Sequence, residues 1–257
     1  TSGTTGRPKG VEIEHRSLVN LLVAMGGEIG FTPTDTLLAV TTISFDIAGL
    51  ELFLPLIHGA TIVLAGSADI LEGRNLSTLI TRHRVTVMQA TPTAWRLLIQ
   101  SGWPGNPDLR ALTGGEALPP NLAQQLARLT GAIWNVYGPT ETTIWSSIHR
   151  VSGNEERSVP IGRPIANTQC YILDAHQQPV PTGCPGELYI GGDGVARGYF
   201  GRPDLTSERF VALPTVTRND HPLFRTGDQV QFLESGEIEF LGRLDQQIKL
   251  RGYRIEL

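Results

Sequence analysis

The chain has 257 residues, room for one large domain or two smaller ones at about 150 per domain. A chain this long buries roughly 70–75% of the surface its unfolded form exposes, so a core forms without disulfides or metals. With 18% charged residues and a formal net charge of −4, it lacks the concentrated positive field that nucleic acid or an anionic membrane demands.

The most apolar stretch, Ile47 to Leu64, is interrupted by Glu51, Pro55 and His58, so no transmembrane span is expected. The small, polar opening has neither the charged start nor the apolar run of a signal peptide. A cytoplasmic location follows as the expectation, with Cys170 and Cys184 reduced rather than paired. The chain does not begin with Met and is motif-dense from its first residue, so a piece of a longer polypeptide is expected.

From Val11 to about Trp145, short apolar runs alternate with helix-like segments. Leu37–Val40, Thr61–Leu64, Val85–Met88 and Ile133–Val136 read as strands buried on both faces. Between them, Leu76, Leu79 and Ile80 follow Asn75 as a helix N-cap. Thr91-Pro92 opens a second helix with proline in its first turn. Pro120 opens a third, with Leu122, Leu126 and Leu129 on one stripe. This alternation predicts an α/β fold, a parallel sheet layered with helices, in which ligands sit beyond the carboxyl ends of the strands. After about Ser152 short strands recur between Pro/Gly turns, at Cys170–Leu173, Glu187–Ile190, Val230–Leu233, Ile238–Leu241 and Ile248–Leu250. Only Leu205–Phe210 reads as helical. A smaller β-rich, barrel-like subdomain is expected there.

The opening TSGTTGRPKG offers glycines, hydroxyls, Arg7 and Lys9, which together can wrap a polyphosphate; a mobile Gly/Thr turn is the plain alternative. A P-loop ATPase fails on spacing, because Lys9 follows Gly6 by three residues and Gly10 stands where the Mg²⁺-binding hydroxyl belongs. The six histidines have no ligand spacing. No G-x-S-x-G elbow occurs, and Gly191-Gly192-Asp193-Gly194 falls short of a dinucleotide fingerprint.

TSGTTGRPKG resembles the phosphate loop of adenylate-forming enzymes, and four further segments agree in order. Asn135 through Glu141 resembles NxYGPTE, and Gly186-Glu187-Leu188 through Arg197-Gly198-Tyr199 resembles GELxIxGxGxARGY. Phe224 through Asp228 resembles YRTGD, and Gly242 through Leu257 resembles GRxDxQVKIRGxRIEL. The adenylation domain of nonribosomal peptide synthetases is the family most similar. The resemblance implies attack of an amino-acid carboxylate on the α-phosphate of ATP, with Mg²⁺. The aminoacyl group then passes to phosphopantetheine on a peptidyl carrier domain, beside condensation domains of the same megaenzyme. It also implies three segments: 1–151 with phosphate loop and substrate pocket, 152–242 completing the nucleotide site, and 243–257 as hinge and start of a C-terminal subdomain lying largely outside the chain. On that reading the isolated piece has little activity.

Residue by residue, the resemblance puts Thr1, Ser2, Gly3, Thr4, Thr5, Gly6 and Lys9 on the β- and γ-phosphates and makes Glu141 a Mg²⁺ ligand. Thr4, Lys9 and Glu141 are thereby the expected catalytic residues. Asp228 meets the ribose, with Arg243 beside it. Tyr137 stacks on adenine; Asn135 and the Gly114-Gly115-Glu116 turn meet its edge, with Gly138 and Thr140 nearby. Asp245 is the hinge, and Lys249 approaches the nucleotide after rotation. Taken singly, Glu141 and Asp228 read as solvated carboxylates, Tyr137 as a core aromatic, Arg243 as a surface ion pair and Asp245 as a turn residue.

Asp46 in Phe45-Asp46 resembles the residue that pairs with the substrate ammonium; as plain structure it caps a helix near Ile47. The remaining pocket positions are Ile47, Leu50, Gln89, Leu112, Gly114, Val136, Ile144 and Trp145. Their string resembles a code for glycine, chosen by excluding larger side chains. The rival expectations are an acyl- or aryl-CoA ligase, or an inactive nucleotide-binding fragment.

Overall fold

The computed structural model describes residues 8–217 and 221–245, together with the backbone of two strands at 248–250 and 253–255. The chain divides into two units. One comprises Leu22–Val136 with His149–Val159; the other comprises the residues up to Leu21, Tyr137–Ile148 and those from Pro160 on.

The chain enters the first unit through helix α1 (His15–Ile29). In this helix Leu21, Leu22, Met25 and Ile29 are buried while Val19 and Val23 face solvent. Then follow β1 (Thr36–Ala39), α2 (Ala48–His58), β2 (Thr61–Leu64), α3 (Ser67–Ile70), α4 (Gly73–Arg82), β3 (Val87–Ala90), α5 (Pro92–Gln100), β4 (Asn106–Gly114), α6 (Pro120–Leu129) and β5 (Thr130–Tyr137). The strands lie in the order β2-β1-β3-β4-β5 and each neighbouring pair is parallel. Parallel neighbours need crossover connections, which the intervening helices supply. The core on one side of this sheet joins Leu38, Met88, Ala111 and Ile133 to Trp95, Leu98, Leu122 and Leu126.

Several elements differ from the expected ones in detail. Strand β3 begins at Val87 rather than Val85, and Val85 is nevertheless fully buried. Asn75 does not cap α4; the helix starts at Gly73, with Glu72 at the N-cap. A Cβ on Gly73 would approach Leu97 O to 2.6 Å, so α5 packs too closely here for any side chain. Thr91 does cap α5, accepting from Ala94 N at 3.3 Å with Pro92 in the first turn.

The second unit is antiparallel. Strand β6 (Ser147–Arg150) pairs with β7 (Arg163–Pro164) through Ser147 and Ile148. Next come β8 (Thr168–Leu173), β9 (Gly186–Gly192), α7 (Pro203–Arg209), β10 (Phe210–Val211), α8 (Pro214–Thr217), β11 (Leu223–Phe232) and β12 (Ile238–Arg243). Strand β11 pairs with β9, β10 and β12, with register shifts after Arg225 and at Gln229/Val230. Such shifts bend a strand and let one long strand serve several partners, curling the sheet. Tyr137, Ile172, Leu188, Ile190, Val230 and Ile238 pack into one buried cluster of this unit. Strands β13 (Ile248–Leu250) and β14 (Tyr253–Ile255) pair antiparallel. The parallel sheet layered with helices and the second, curled antiparallel sheet are the fold class the sequence implies.

Candidate active site

In the first unit the expected pocket residues gather at the carboxyl ends of neighbouring strands. Gln89 on β3 is in register with Leu112 on β4, and Gly114 on β4 with Val136 on β5. Side chains in register on parallel strands point to the same face, and alternation puts their neighbours on the other. Gln89, Leu112, Gly114 and Val136 therefore share one face, while Met88, Ala111 and Ile133 supply the core behind it. Gly115 has φ +82°, a conformation that favours glycine. A Cβ there would lie 3.6 Å from Ile47 Cδ1, so the turn passes directly over Ile47. Glu116 turns its carboxylate to α5, accepting from Thr93 Oγ1 at 2.7 Å. Gln89 Nε2 donates to Ile47 O at 3.2 Å, and Leu50 is buried. Ile47, not Asp46, occupies the N-cap position of α2.

The second unit assembles a buried charged network from the Tyr137, Thr226-Gly227-Asp228 and Arg243 segments. Tyr137 donates its hydroxyl to Asp228 Oδ2. Arg243 Nη1 donates to Asp228 Oδ1 at 2.8 Å and to Thr226 O at 2.9 Å, while its Nε reaches Asp245 Oδ1 at 2.9 Å. Asp228 N is held by Thr226 Oγ1 at 3.0 Å. Burial, then the Asp228 charge, pushes the Tyr137 hydroxyl well above its ordinary range, so it stays a donor. Burial alone would lower the Arg243 guanidinium; the Asp245 and Asp228 carboxylates outweigh it and raise it. Gly227, at φ +76°, leaves the close space that the guanidinium fills, for a Cβ would lie 2.9 Å from Arg243 Nη2.

Glu141 sits in a single 3₁₀ turn, Thr140–Thr142, and is fully buried. Its Oε1 accepts from Tyr199 Oη at 2.7 Å, and Lys9 Nζ lies 5.2 Å from the centre of the Tyr199 ring. The following residues, Thr143 and Ile144, both have φ above +60°. That is a strained conformation for β-branched side chains, costing about 1–3 kcal/mol each. Thr143 Oγ1 to Gly194 O at 2.7 Å and Ser146 N to Tyr137 O at 2.7 Å hold the turn. It buries Trp145 at 2% exposure and Ile144 at 6%. Gly138 permits the close return, since a Cβ there would meet Ile144 O at 2.4 Å.

Among the described residues no group of three or more His, Cys, Asp or Glu could hold a metal by itself. One carboxylate such as Glu141 suits Mg²⁺, which takes one or two protein oxygens and completes its shell with phosphate and water. Thr1, Ser2, Gly3, Thr4, Thr5 and Gly6 lie outside the described residues, and Lys249 is placed only as backbone in β13. Sequence reasoning assigns no role to Tyr199 or Thr226, although both stand inside recognised motifs. The RGY and RTGD spacings were the available signals.

A profile of the family described as AMP-binding enzyme matches residues 1–200, and the chain belongs to that family. It is 51% identical over its whole length to a dimodular nonribosomal peptide synthase of Bacillus subtilis, and 43% identical over its whole length to tyrocidine synthase 3 of Brevibacillus parabrevis. The chain spans 11% and 4% of those proteins. Among solved structures it is similar to a four-domain nonribosomal peptide synthetase bound to AMP and glycine, with 46% identity and a TM-score of 0.88 over 97% of this chain and 19% of that one. It is also similar to the Vibrio cholerae adenylation domain AlmE in complex with glycyl-adenosine-5′-phosphate, with 29% identity and a TM-score of 0.91 over 100% of this chain and 49% of that one.

Proposed function

We propose that the chain acts within an amino-acid adenylation domain of a nonribosomal peptide synthetase, with glycine as the preferred substrate. An oxygen of the amino-acid carboxylate attacks the α-phosphorus of ATP. The bond to pyrophosphate breaks; the thiol of phosphopantetheine on a carrier domain then attacks the aminoacyl carbonyl, losing its proton as a thioester forms and AMP leaves. Attack of one anion on another calls for positioning and charge offset. Asp46 pairs with the substrate ammonium, and the branched side chains of Ile47, Leu50, Leu112 and Val136 exclude larger amino acids. Gly114, Gly115, Glu116 and Asn135 meet the adenine edge. In the second unit Tyr137, Gly138, Thr140, Asp228 and Arg243 hold the nucleoside, and Ile144 and Trp145 complete the pocket positions. Residues 1–6 and Lys9 hold phosphates, Glu141 would hold Mg²⁺, Asp245 is the hinge and Lys249 the lysine that approaches after rotation. Mg²⁺ would offset the charge of the phosphates. The functional boundaries at 151/152 and 242/243 belong to this proposal.

The observation that carries it is 46% identity across 97% of the chain to a synthetase whose structure holds AMP and glycine. The test is amino-acid-dependent pyrophosphate exchange by the intact parent domain, with glycine, alanine, an aromatic amino acid and a fatty acid. Glycine should stimulate exchange most, and Asp46→Ala should abolish the stimulation. Stronger stimulation by alanine or the aromatic acid would overturn glycine. Stimulation by the fatty acid, undiminished in Asp46→Ala, would favour an acyl-CoA ligase, and no stimulation at all would remove the adenylation reading.

A further inference from the structure

We infer that Glu51 is a positioning residue for the acid pocket: one buried carboxylate ties down both ends of the loop that carries Asp46. The inference rests on the pocket roles proposed above for Asp46, Ile47 and Gln89. Glu51 lies in the first turn of α2 and is completely buried. Its Oε2 accepts from the backbone N–H groups of Val40 and Thr41, each at 2.9 Å, where the chain leaves β1. Its Oε1 accepts from Thr41 Oγ1 at 2.6 Å and from Gln89 Nε2 at 3.1 Å. The same Gln89 nitrogen donates to Ile47 O at 3.2 Å. The loop 42–46 is therefore fastened at its start by Glu51 directly, and at its end by Glu51 through Gln89.

A buried carboxylate is a costly way to fill space, and an apolar side chain would do that more cheaply. What the carboxylate adds is acceptor capacity at both oxygens with no hydrogen to place. Burial raises its carboxyl above the ordinary range, and the Thr41, Gln89 and Val40 donors offset only part of that rise. The two N–H bonds of the Gln89 amide point at Glu51 and Ile47, so the amide is oriented from behind. In Glu51→Gln an NH₂ group must face either the Val40 and Thr41 N–H groups or the Gln89 amide. The first arrangement loosens the start of the loop. The second turns the Gln89 carbonyl toward Ile47 O and loosens its end.

Exchange kinetics on the intact parent synthetase test this, with KM measured separately for ATP and for the amino acid the wild type prefers. Glu51→Gln should raise the amino-acid KM at least tenfold with ATP KM within twofold, and should lower the glycine-to-alanine selectivity at least threefold. Thr41→Val, which removes one donor and leaves the carboxylate, should shift the amino-acid KM two- to fivefold in the same direction. A folded Glu51→Gln with unchanged amino-acid KM, or with both KM values rising together, overturns the positioning role. If Glu51→Gln does not fold, Thr41→Val decides: its amino-acid KM rising alone supports the role, and no rise overturns it. A wild type that no amino acid stimulates removes the pocket reading itself, whereas an active wild type with normal variants removes only Glu51.

Discussion

Tyr137 and Asp228, ninety-one residues apart, meet through a hydrogen bond buried within the curled sheet. Asp228 is 4% exposed and its two oxygens face different donors, the Tyr137 hydroxyl and the Arg243 guanidinium. Tyr137→Phe deletes a donor to a buried charge, which costs about 1–3 kcal/mol. At about 2–4 °C per kcal/mol for a chain of this size, thermal melting should show Tm falling by several degrees. A Tm within 1 °C or so of wild type would mean that the bond contributes nothing net.

Arg243 serves three acceptors from one planar group: Asp228, Asp245 and Thr226 O. Lysine keeps the charge but lacks the fork. Arg243→Lys should forfeit about 1.5–3 kcal/mol of charge-assisted bonding. If Asp228 meets the ribose as proposed, ATP KM in the parent domain rises about tenfold or more while the amino-acid KM holds. Equal changes in both would detach this network from the nucleotide.

The two cysteines, free among the described residues, should differ in reactivity. Cys184 is exposed, whereas Cys170 is half-buried against the core of the curled sheet, where shielding from water pushes its thiol up to about 12. The thiolate is the reactive form. Iodoacetamide at pH 8 should therefore label Cys184 and spare Cys170 in the folded protein, with both labelled in urea. Mass spectrometry of the digested protein reads the difference, and rapid folded-state labelling of Cys170 would contradict the burial.

Much of this architecture could be read locally. Thr91-Pro92 carries its own start signal, a capping hydroxyl and a proline whose missing N–H costs nothing. The stripe of Leu122 and Leu126 likewise predicts α6 from spacing alone. Strand β4 could not be read so, because Pro107, Asp108 and Arg110 interrupt the apolar pattern; it exists through pairing with β3 and β5. The need for glycine at position 73, the first residue of α4, depends on a neighbour twenty-four residues away, Leu97. Around the candidate site, motif spacing pointed to Glu141 and Asp228. Only folding reveals that Tyr199 bonds the first and that Glu51 stands behind Gln89.

Asp35 shows how the first unit should respond to acid. Its carboxylate pairs with Arg110 and accepts from Thr86 Oγ1 at 2.7 Å and from Thr32 N at 2.7 Å. Burial pushes the carboxyl up, but Arg110, Thr86 and Thr32 together hold it below its ordinary value. A carboxyl whose folded pKa is depressed stabilises the fold above its unfolded pKa, about 3.9, and loses that contribution as pH falls through the folded value. Asp35→Asn should cost about 2–3 kcal/mol at neutral pH. Urea unfolding of wild type and variant should show a constant gap above about pH 5 and a narrowing one below about pH 4.

Gly138 tests the strained turn that follows it. A methyl group there would lie 2.4 Å from Ile144 O and 2.8 Å from Ser146 N, both backbone atoms that no rotamer change can move. The same turn holds Thr143 and Ile144 at positive φ and is fastened by Ser146 N to Tyr137 O. Gly138→Ala should therefore push the Glu141 turn away from Tyr137 and cost more than about 3 kcal/mol, beyond the usual range for a point substitution. Gly27→Ala is the control: it lies in helix α1 away from the left-handed region, and nothing lies within 4 Å of its added methyl. It should leave stability unchanged or raise it by up to about 1 kcal/mol, since alanine is the better helix former. A Gly138→Ala as stable in urea as Gly27→Ala would mean that the close packing over Gly138 costs nothing.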